Sequence, residues 1–301
     1  LEETAMANHS KTSRFSAALT VMALLALSSA HATNEIVWAG CAVTKKAFMA
    51  EIAAAYERKT GVKLKLEGGG ATKGIRYVAS KKVDAGGSCR HRLFVDGTPV
   101  GTELRTTMHQ VAWDAIAVIT HPEVGVTNIT TANLRKVYNG VITNWKDLGG
   151  PDAPLVLVTR EGKYSGVEQM FRVLMFGDQT YDYLARTVDA SDSSSLEDYV
   201  EKTPYSLGVD GVSSARKSHV TILALDHIEP SKINIAAGRY PLFRPLYLVT
   251  GPNPTSAVSD LVAFTLSVEG QRIIAEQGTV NLEEGRALVE PWNNLKQRFG
   301  G

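Results

Sequence analysis

The chain has 301 residues, of which 44% are hydrophobic and 21% are charged. This composition is typical of a globular protein and excludes intrinsic disorder and collagen-like repeats. The 32 Lys and Arg residues nearly balance the 31 Asp and Glu residues, so the formal net charge is +1. So small a charge creates no field that would draw the whole molecule to nucleic acid or to an anionic membrane, and any anion site must be local.

Residues 1–32 predict a secretory signal peptide rather than part of the fold. Lys11 and Arg14 precede an apolar run over 15–27, which ends in the small-residue sequence SSAHA at 28–32. A charged start, a short apolar run and an A-x-A ending are the three parts of such a signal. No other stretch approaches the roughly 18 to 20 apolar residues of a membrane span. We therefore expect a protein exported to the periplasm.

The first part of the mature chain alternates strands and helices. Apolar patterning predicts strands over 35–40 and 62–67, and helices over 44–59 and 72–80. Short glycine-rich joints connect these elements. Such alternation is typical of parallel strands with crossover helices, whose ligand sites lie beyond the carboxyl ends of the strands.

The rest of the chain continues this alternation. A long extended segment over 104–120 is predicted to cross between two lobes, and a long helix is predicted over 256–277. Between them we predict strands or extended segments over 154–160, 206–211, 220–225 and 240–251, and helices over 131–140, 165–176 and 195–200.

Three glycine-rich turns, over 40–44, 70–74 and 160–166, each follow a predicted strand and open toward a helix. Their backbone N–H groups and the positive end of the helix dipole suit an anion. Such turns are also common without a ligand, but three in one chain strengthen the anion interpretation. None ends in the Gly-Lys-Ser/Thr of a nucleotide P-loop, and none has the spacing G-x-G-x-x-G, so nucleotide binding is disfavoured.

Three blocks of sequence resemble the phosphate-binding family of periplasmic solute receptors. The first block covers 37–90; it begins VWAGCAV and ends GSCR. The second is VYNGVITNWKDLGG over 137–150, and the third is LVTREGKYSGVEQMF over 157–171. The resemblance implies an α/β, two-lobed type II periplasmic binding protein fold. Each lobe would be a mixed sheet flanked by helices, and two hinge crossings would join the lobes.

The resemblance also implies the division of the chain and its function. Residues 33–112 and 225–301 would form the first lobe and residues 113–224 the second. The protein would capture a small, phosphate-like oxyanion between the lobes and deliver it to an ABC permease. It would act as a monomer and a receptor, not as an enzyme, and would need no cofactor or metal.

The resemblance places the anion contacts in the three turns. The cationic clamp falls on Arg160, because a guanidinium group gives two parallel charge-assisted hydrogen bonds to a tetrahedral anion. The other expected ligand-binding residues are Cys41, Val43, Thr44, Ala71, Thr72, Ser88, Cys89, Arg90, Ser165, Gly166 and Val167.

The sequence departs from the family at three of these positions. The family has an aspartate in the loop after the third strand, where it accepts a hydrogen bond from a protonated phosphate oxygen; here that loop is 85–90 and Cys89 takes the place of the aspartate. Ala71 stands where a serine is usual and Val167 where a threonine is usual. The ligand therefore stays open between phosphate, arsenate, arsenite and another anion.

Cys41 and Cys89 are the only two cysteines in the chain. In an exported protein a structural disulfide is the leading interpretation, with ligand binding by thiols and an inert reduced pair as the alternatives. Two thiolates would suit a thiophilic species such as arsenite better than phosphate. The alternative function is therefore a thiol-dependent receptor or sensor that signals to a membrane sensor kinase. A thiol enzyme or redox carrier is a third class, although no catalytic motif is present.

Two residues outside the turns also have expected roles. His91 follows Cys89 and Arg90, and is expected to be either part of a solvated basic turn or a cation or metal ligand behind the site. Asp114 lies in the crossing segment and is expected to be a partner for a cation of the cleft.

Overall fold

The computed structural model describes residues 35–95 and 98–298. The predicted signal peptide, residues 1–32, lies outside these residues. Among the residues that the structure describes, no helix is both long enough and apolar enough to cross a membrane.

The strands form one large mixed sheet and a two-stranded hairpin. In the large sheet the order is β2-β1-β3-β12-β6-β10-β8-β9, β11 pairs with β6 and β7, and the hairpin is β4-β5. The strands are β1 (Glu35–Gly40), β2 (Lys63–Glu67), β3 (Ala85–Ser88), β4 (Phe94–Val95), β5 (Thr98–Pro99), β6 (Thr107–Thr120), β7 (Asn128–Ile129), β8 (Val156–Arg160), β9 (Val188–Ala190), β10 (Ser206–Gly211), β11 (Thr221–Leu225) and β12 (Phe243–Thr250).

The helices flank the sheet, and a π-helical segment, Lys45–Met49, joins the first two into one continuous rod. They are α1 (Ala42–Thr44), α2 (Ala50–Thr60), α3 (Gly70–Ala79), α4 (Thr131–Tyr138), α5 (Gly166–Phe176), α6 (Ser193–Lys202), α7 (Val212–Ala215), α8 (Lys232–Ala236), α9 (Ser256–Leu266), α10 (Val268–Glu276) and α11 (Val289–Gln297).

Strand β6 lies in the middle of the large sheet and joins its two parts. It pairs with β12 up to Ala115 and with β10 from Ile116 onward, antiparallel in both cases. We call the strands β2, β1, β3 and β12 with their helices the first half, and the strands β10, β8, β9, β11 and β7 with theirs the second half. The carboxyl ends of β1 and β2 in the first half, and of β8 in the second, lead into α1, α3 and α5, which carry predicted site residues. Strand β3 leads into the segment that contains Cys89 and Arg90.

The glycines of β3 serve close packing rather than a turn. The sequence places a loop over 85–90, but Ala85–Ser88 is a strand that is buried throughout and pairs with β1 and β12. A Cβ atom on Gly87 would overlap the Trp38 ring, and one on Gly86 would lie 3.0 Å from the Ala39 carbonyl oxygen. The strand can therefore lie against β1 and α3 only because these side chains are absent.

The predicted long helix over 256–277 is two helices. The chain is extended at Ser267, with φ −68° and ψ 165°, and the Ser267 side chain accepts a hydrogen bond from the backbone N–H of Gly270. Serine competes well for such a cap, so it ends α9 and begins α10 within an otherwise continuous apolar pattern.

Candidate functional site

A cleft of about 240 Å³ lies between the start of α3 in the first half and the loop after β8 in the second. The glycines that open α3 have positive φ angles, 123° at Gly69 and 86° at Gly70, a conformation that favours glycine. The cleft is lined by Gly69, Gly70, Ala71, Thr72, Arg160, Glu161, Gly162, Lys163, Tyr164, Ser165 and Ser191.

Arg160 forms the buried wall of this cleft and is 7% exposed. Its Nη1 donates to Ser193 Oγ at 2.9 Å, its Nη2 to the Ser191 carbonyl at 3.0 Å and its Nε to the Ala190 carbonyl at 3.4 Å. All three acceptors are neutral. Burial lowers the pKa of Arg160, and nearby carboxylates, Asp210 first among them, act against that shift. The side chain is thus held in one position without a bonded carboxylate to neutralise its charge.

One hydrogen bond across the cleft, from Thr72 to Tyr164, joins the two halves at its edge. Thr72 Oγ1 on α3 donates to the Tyr164 carbonyl at 2.6 Å and accepts from Arg90 Nη2 at 3.1 Å. Ser165 precedes α5, and its Oγ accepts from the backbone N–H of Glu168 at 3.2 Å. The Ser165 hydroxyl hydrogen has no acceptor in the described part of the chain, so this group remains a donor for a ligand.

A disulfide bond joins Cys41 and Cys89, whose Cα atoms are 6.2 Å apart, and both residues are buried. A Cβ atom on Gly166, the first residue of α5, would overlap Cys89 Sγ and lie 3.1 Å from the Ala71 Cβ. We call Cys41, Ala71, Cys89 and Gly166 the disulfide junction. The amino-terminal ends of α1, α3 and α5 come together at this disulfide. Because both sulfur atoms are bonded, the disulfide junction contains no free thiol.

Several predicted ligand residues surround the disulfide junction instead of lining the cleft. Val43 and Val167 are buried apolar side chains. Thr44 Oγ1 is also buried and has no hydrogen-bond partner within the described residues. Ser88 Oγ donates to the Arg90 carbonyl at 2.8 Å and accepts from the Arg90 N–H at 3.2 Å. The structure therefore separates these residues from the cleft in which Arg160 lies.

Arg90 is occupied by an ion pair. Its guanidinium is fully buried and bonds both carboxylate oxygens of Glu103, at 2.7 and 3.2 Å. Burial, and then the positive charges of Lys296, Arg92 and Arg90, lower the pKa of His91 from 6.5 to about 4. His91 is thus uncharged at neutral pH, and neither residue supplies a free cation. Among the residues described, no group of three or more His, Cys, Asp or Glu side chains is placed to hold a metal ion.

The sequence interpretation missed Arg244, which lies beneath the disulfide junction. Its Nη2 bonds Asp114 Oδ2 at 3.0 Å, and its Nη1 donates to the carbonyls of Cys89 and Gly166 at 3.2 and 3.3 Å. Asp114 Oδ1 accepts from the N–H and the hydroxyl of Ser213. Asp114 was expected to pair with a cation of the cleft. It pairs instead with Arg244, which is fully buried. The available signal was an arginine inside the otherwise apolar run of β12.

The comparisons with known proteins agree with this architecture. Residues 27–269 match a family model described as a PBP superfamily domain. Phosphate-binding protein PstS of Borreliella burgdorferi is 34% identical over 182 residues, which are 57% of this chain and 64% of that protein. PstS of Bacillus subtilis is 26% identical over 227 residues, 74% of this chain and 73% of that protein. The matched region thus spans slightly less than two thirds of the Borreliella protein and more of the Bacillus one.

A solved structure carries the same fold. It contains bound phosphate, comes from Clostridium perfringens and is described as a phosphate ABC transporter substrate-binding protein; the TM-score is 0.72 at 25% identity, over 82% of this chain and 99% of that one. The chain belongs to the PBP superfamily domain family. The resemblance to phosphate-binding receptors and the two-lobed α/β fold are confirmed. The relatives are named as binding proteins, which agrees with the prediction that the chain is not an enzyme.

Proposed function

We propose that this protein is a periplasmic solute receptor that captures a phosphate-like oxyanion in the cleft beside Arg160 and delivers it to an ABC permease. The observation that carries the proposal is the bonding of Arg160, whose guanidinium is fixed from behind by three neutral oxygens. Each Nη has two N–H groups and gives one of them to the protein. The remaining N–H groups, one on each Nη, are left for charge-assisted hydrogen bonds to a tetrahedral anion.

The other donors of the proposed site come from both halves. The Ser165 hydroxyl and the first N–H groups of α5 approach from the second half, and the glycine-rich start of α3 approaches from the first half. Because these groups lie on opposite sides, an anion between them stabilises the closed arrangement over the open one. Of the residues that the resemblance implies, this proposal keeps Thr72, Arg160, Ser165 and Gly166 as the anion cradle. Ala71 lines the same cleft without a polar group.

Arsenite is the second candidate ligand, favoured by the two cysteines at the disulfide junction. Since both sulfur atoms are in a disulfide, arsenite binding requires prior reduction, whereas phosphate binding beside Arg160 does not. For the same fold a membrane sensor kinase is the alternative partner to a permease. Crosslinking of the exported protein to membrane proteins in intact cells distinguishes the two partners.

The test is titration calorimetry of the mature protein with phosphate, arsenate, sulfate and arsenite, with and without a reductant. We expect phosphate binding that is indifferent to reductant. Arg160→Ala should weaken it by about 100-fold or more, because the loss removes two charge-assisted hydrogen bonds. Arg272→Ala is the matched control, since Arg272 is exposed and bonded to Glu276 on α10.

Two results would contradict the proposal. Unchanged phosphate affinity in Arg160→Ala would remove the site from this cleft. Binding of arsenite only after reduction, lost in Cys89→Ser, with no binding of phosphate in either state, would replace the oxyanion receptor by the thiol-dependent one.

A further inference from the structure

A buried polar cluster lies directly behind Arg160. Ser193 Oγ accepts from Arg160 Nη1 at 2.9 Å. Strand β10, which carries Asp210, pairs in parallel with β8, the strand that ends at Arg160. Asp210, on β10, is fully buried. Its Oδ1 accepts from the Gly211 N–H at 2.7 Å, while its Oδ2 has no partner among the described residues. Ser193 Oγ uses a lone pair for Arg160, so its own hydrogen is not needed for that bond.

The helix that begins at Ser193, α6, also contacts the first half of the molecule. Glu197, on α6, is buried, and its Oε2 binds Lys46 Nζ at 2.5 Å and Ser218 Oγ at 2.6 Å. Its Oε1 has no partner within the described ranges. Lys46 belongs to the π-helical segment after β1, so this ion pair joins the two halves.

The charges around Asp210 make its protonation sensitive to pH. Burial, and then the nearby charge of Glu197, raise the pKa of Asp210 to about 7, whereas the Gly211 N–H, Arg160 and Ser193 act in the opposite direction. Glu168 on α5 is engaged by Arg172, by Tyr183 and by the backbone N–H of Arg160. The charged groups around Asp210 and Arg160 are Asp192 and Glu197 at α6, Glu168 on α5, Glu161 in the loop after β8 and Lys46 in the first half.

We propose that Ser193 and Asp210 are positioning residues that direct Arg160 toward the bound oxyanion, and that the ion pair of Glu197 with Lys46 holds α6, the helix that begins at Ser193, against the first half, so that anion binding and closure of the two halves are coupled. The inference rests on the proposed function, because it concerns how the same cleft binds its anion. Ser193 orients the guanidinium without neutralising it. An ionised Asp210 competes with the anion for the charge of Arg160, whereas a neutral Asp210 leaves that charge to the ligand.

The test compares phosphate affinity at pH 6 and pH 8 for the wild-type protein, Asp210→Asn and Ser193→Ala. Asp198→Asn is the matched control, because Asp198 lies on α6 beside Glu197 but is exposed and paired with Lys202. Phosphate itself titrates in this range, so the quantity of interest is the pH 6 to pH 8 affinity ratio relative to that of Asp198→Asn.

We expect Ser193→Ala to weaken phosphate binding about tenfold at both pH values, because Arg160 loses an orienting hydrogen bond. Between pH 6 and pH 8 the wild-type protein should lose phosphate affinity as Asp210 ionises. Asp210→Asn should show a smaller loss over the same range, because its side chain does not ionise. Lys46→Met, which leaves the cleft residues intact, should weaken binding about threefold to tenfold through the lost contact between the halves.

The outcomes separate this inference from the proposed function. If the wild-type protein binds no phosphate, the proposed function fails and the inference fails with it. If the wild-type protein binds phosphate through Arg160, but Ser193→Ala and Asp210→Asn keep its affinity and its pH ratio, only the positioning role is overturned. If Asp210→Asn does not fold, Ser193→Ala decides that role alone. Unchanged affinity in Lys46→Met would overturn the coupling to closure.

Discussion

The cleft and the disulfide junction hold buried arginines in opposite ways. Around the junction, Arg90 binds both oxygens of Glu103 and Arg244 binds Asp114, so each positive charge has a buried carboxylate in direct contact. In the cleft, Arg160 bonds only a hydroxyl and two carbonyl oxygens. All three guanidinium groups are nearly or fully excluded from water, yet only one is left without a bonded negative charge.

This difference indicates where an anion gains most. A buried charge is costly unless something compensates it. At the junction the protein supplies the compensation itself, which makes that region a structural connection between the halves. In the cleft the compensation is incomplete, and for this reason we propose that an external anion supplies the missing negative charge there. Both regions contain a buried arginine, so burial and positive charge do not distinguish them. The regions differ in whether the hydrogen-bond acceptors of that arginine are charged or neutral.

The largest effect that sharpens this contrast is on stability. Arg244→Ala should destabilise the protein by about 3–5 kcal/mol, because it leaves Asp114 buried without its cation. Urea unfolding of the variant measures this free energy. By contrast, Arg160→Ala should retain most of the wild-type stability while it loses the anion.

The control for this prediction is the double variant Arg244→Met with Asp114→Leu, in which both charges of the pair are removed. Replacement of both partners by apolar groups should recover much of the loss. A single variant Arg244→Ala with nearly wild-type stability would show that the two regions do not differ as described.

A smaller effect is expected from steric contact at the disulfide junction. Gly166→Ala should destabilise the protein by about 1–3 kcal/mol, because the added methyl group overlaps Cys89 Sγ. In the background Cys41→Ala with Cys89→Ala the same change should cost much less, since the sulfur atom is gone. Thermal unfolding of the four proteins gives the coupling between the two sites. An equal cost in both backgrounds would mean that the disulfide is not what Gly166 contacts.

The smallest effect concerns pH and again separates the two regions. The pKa of His91 is lowered from 6.5 to about 4 in the folded protein. The unfolded chain therefore binds the proton first as pH falls, so the stability that His91 contributes is complete above pH 6.5 and is lost as the pH falls to about 4. Asp210, behind the cleft, has a raised pKa of about 7, so its contribution is lost as the pH rises from 3.8 toward 7.

His91→Phe tests this difference. Phenylalanine keeps the packing against Phe94 and Trp292 and does not titrate. We expect the melting temperature of the variant to fall by a few degrees less than that of the wild-type protein between pH 6.5 and pH 4. Identical pH profiles would show that the acid sensitivity does not arise at His91. The exposed variant His219→Phe serves as the control for removal of a histidine.

Most of the fold follows from local pattern and from the resemblance. The predicted strand over 206–211 coincides with β10, and the predicted helix over 165–176 differs from α5 by one residue. Local sequence signals are weaker where tertiary packing decides the structure. Strand β3, rich in glycine, exists because its backbone fits against Trp38. Helix α11 was not predicted, because Pro291 and several polar residues interrupt its apolar pattern.

The candidate site was only partly predictable. Arg160 and Ser165 stand out because a cation and a capping serine flank a glycine-rich turn after a strand. The bonding of Arg90 and Arg244 depends on carboxylates 13 and 130 residues away, which no local pattern connects. The cluster of Asp210, Glu197 and Lys46 likewise joins residues from distant segments. Sequence identifies charged residues, but only the fold determines which charges cancel.

The position of β12 has a consequence for the order in which the molecule is built. Strands β1, β2 and β3 connect to β6 only through β12, which ends at Thr250. During synthesis from the amino terminus, this part of the sheet therefore stays open until the last sixth of the 301-residue chain is being made. Pairing across so long a sequence separation is slow to form. Completion of this sheet is thus delayed until nearly all of these 301 residues are available.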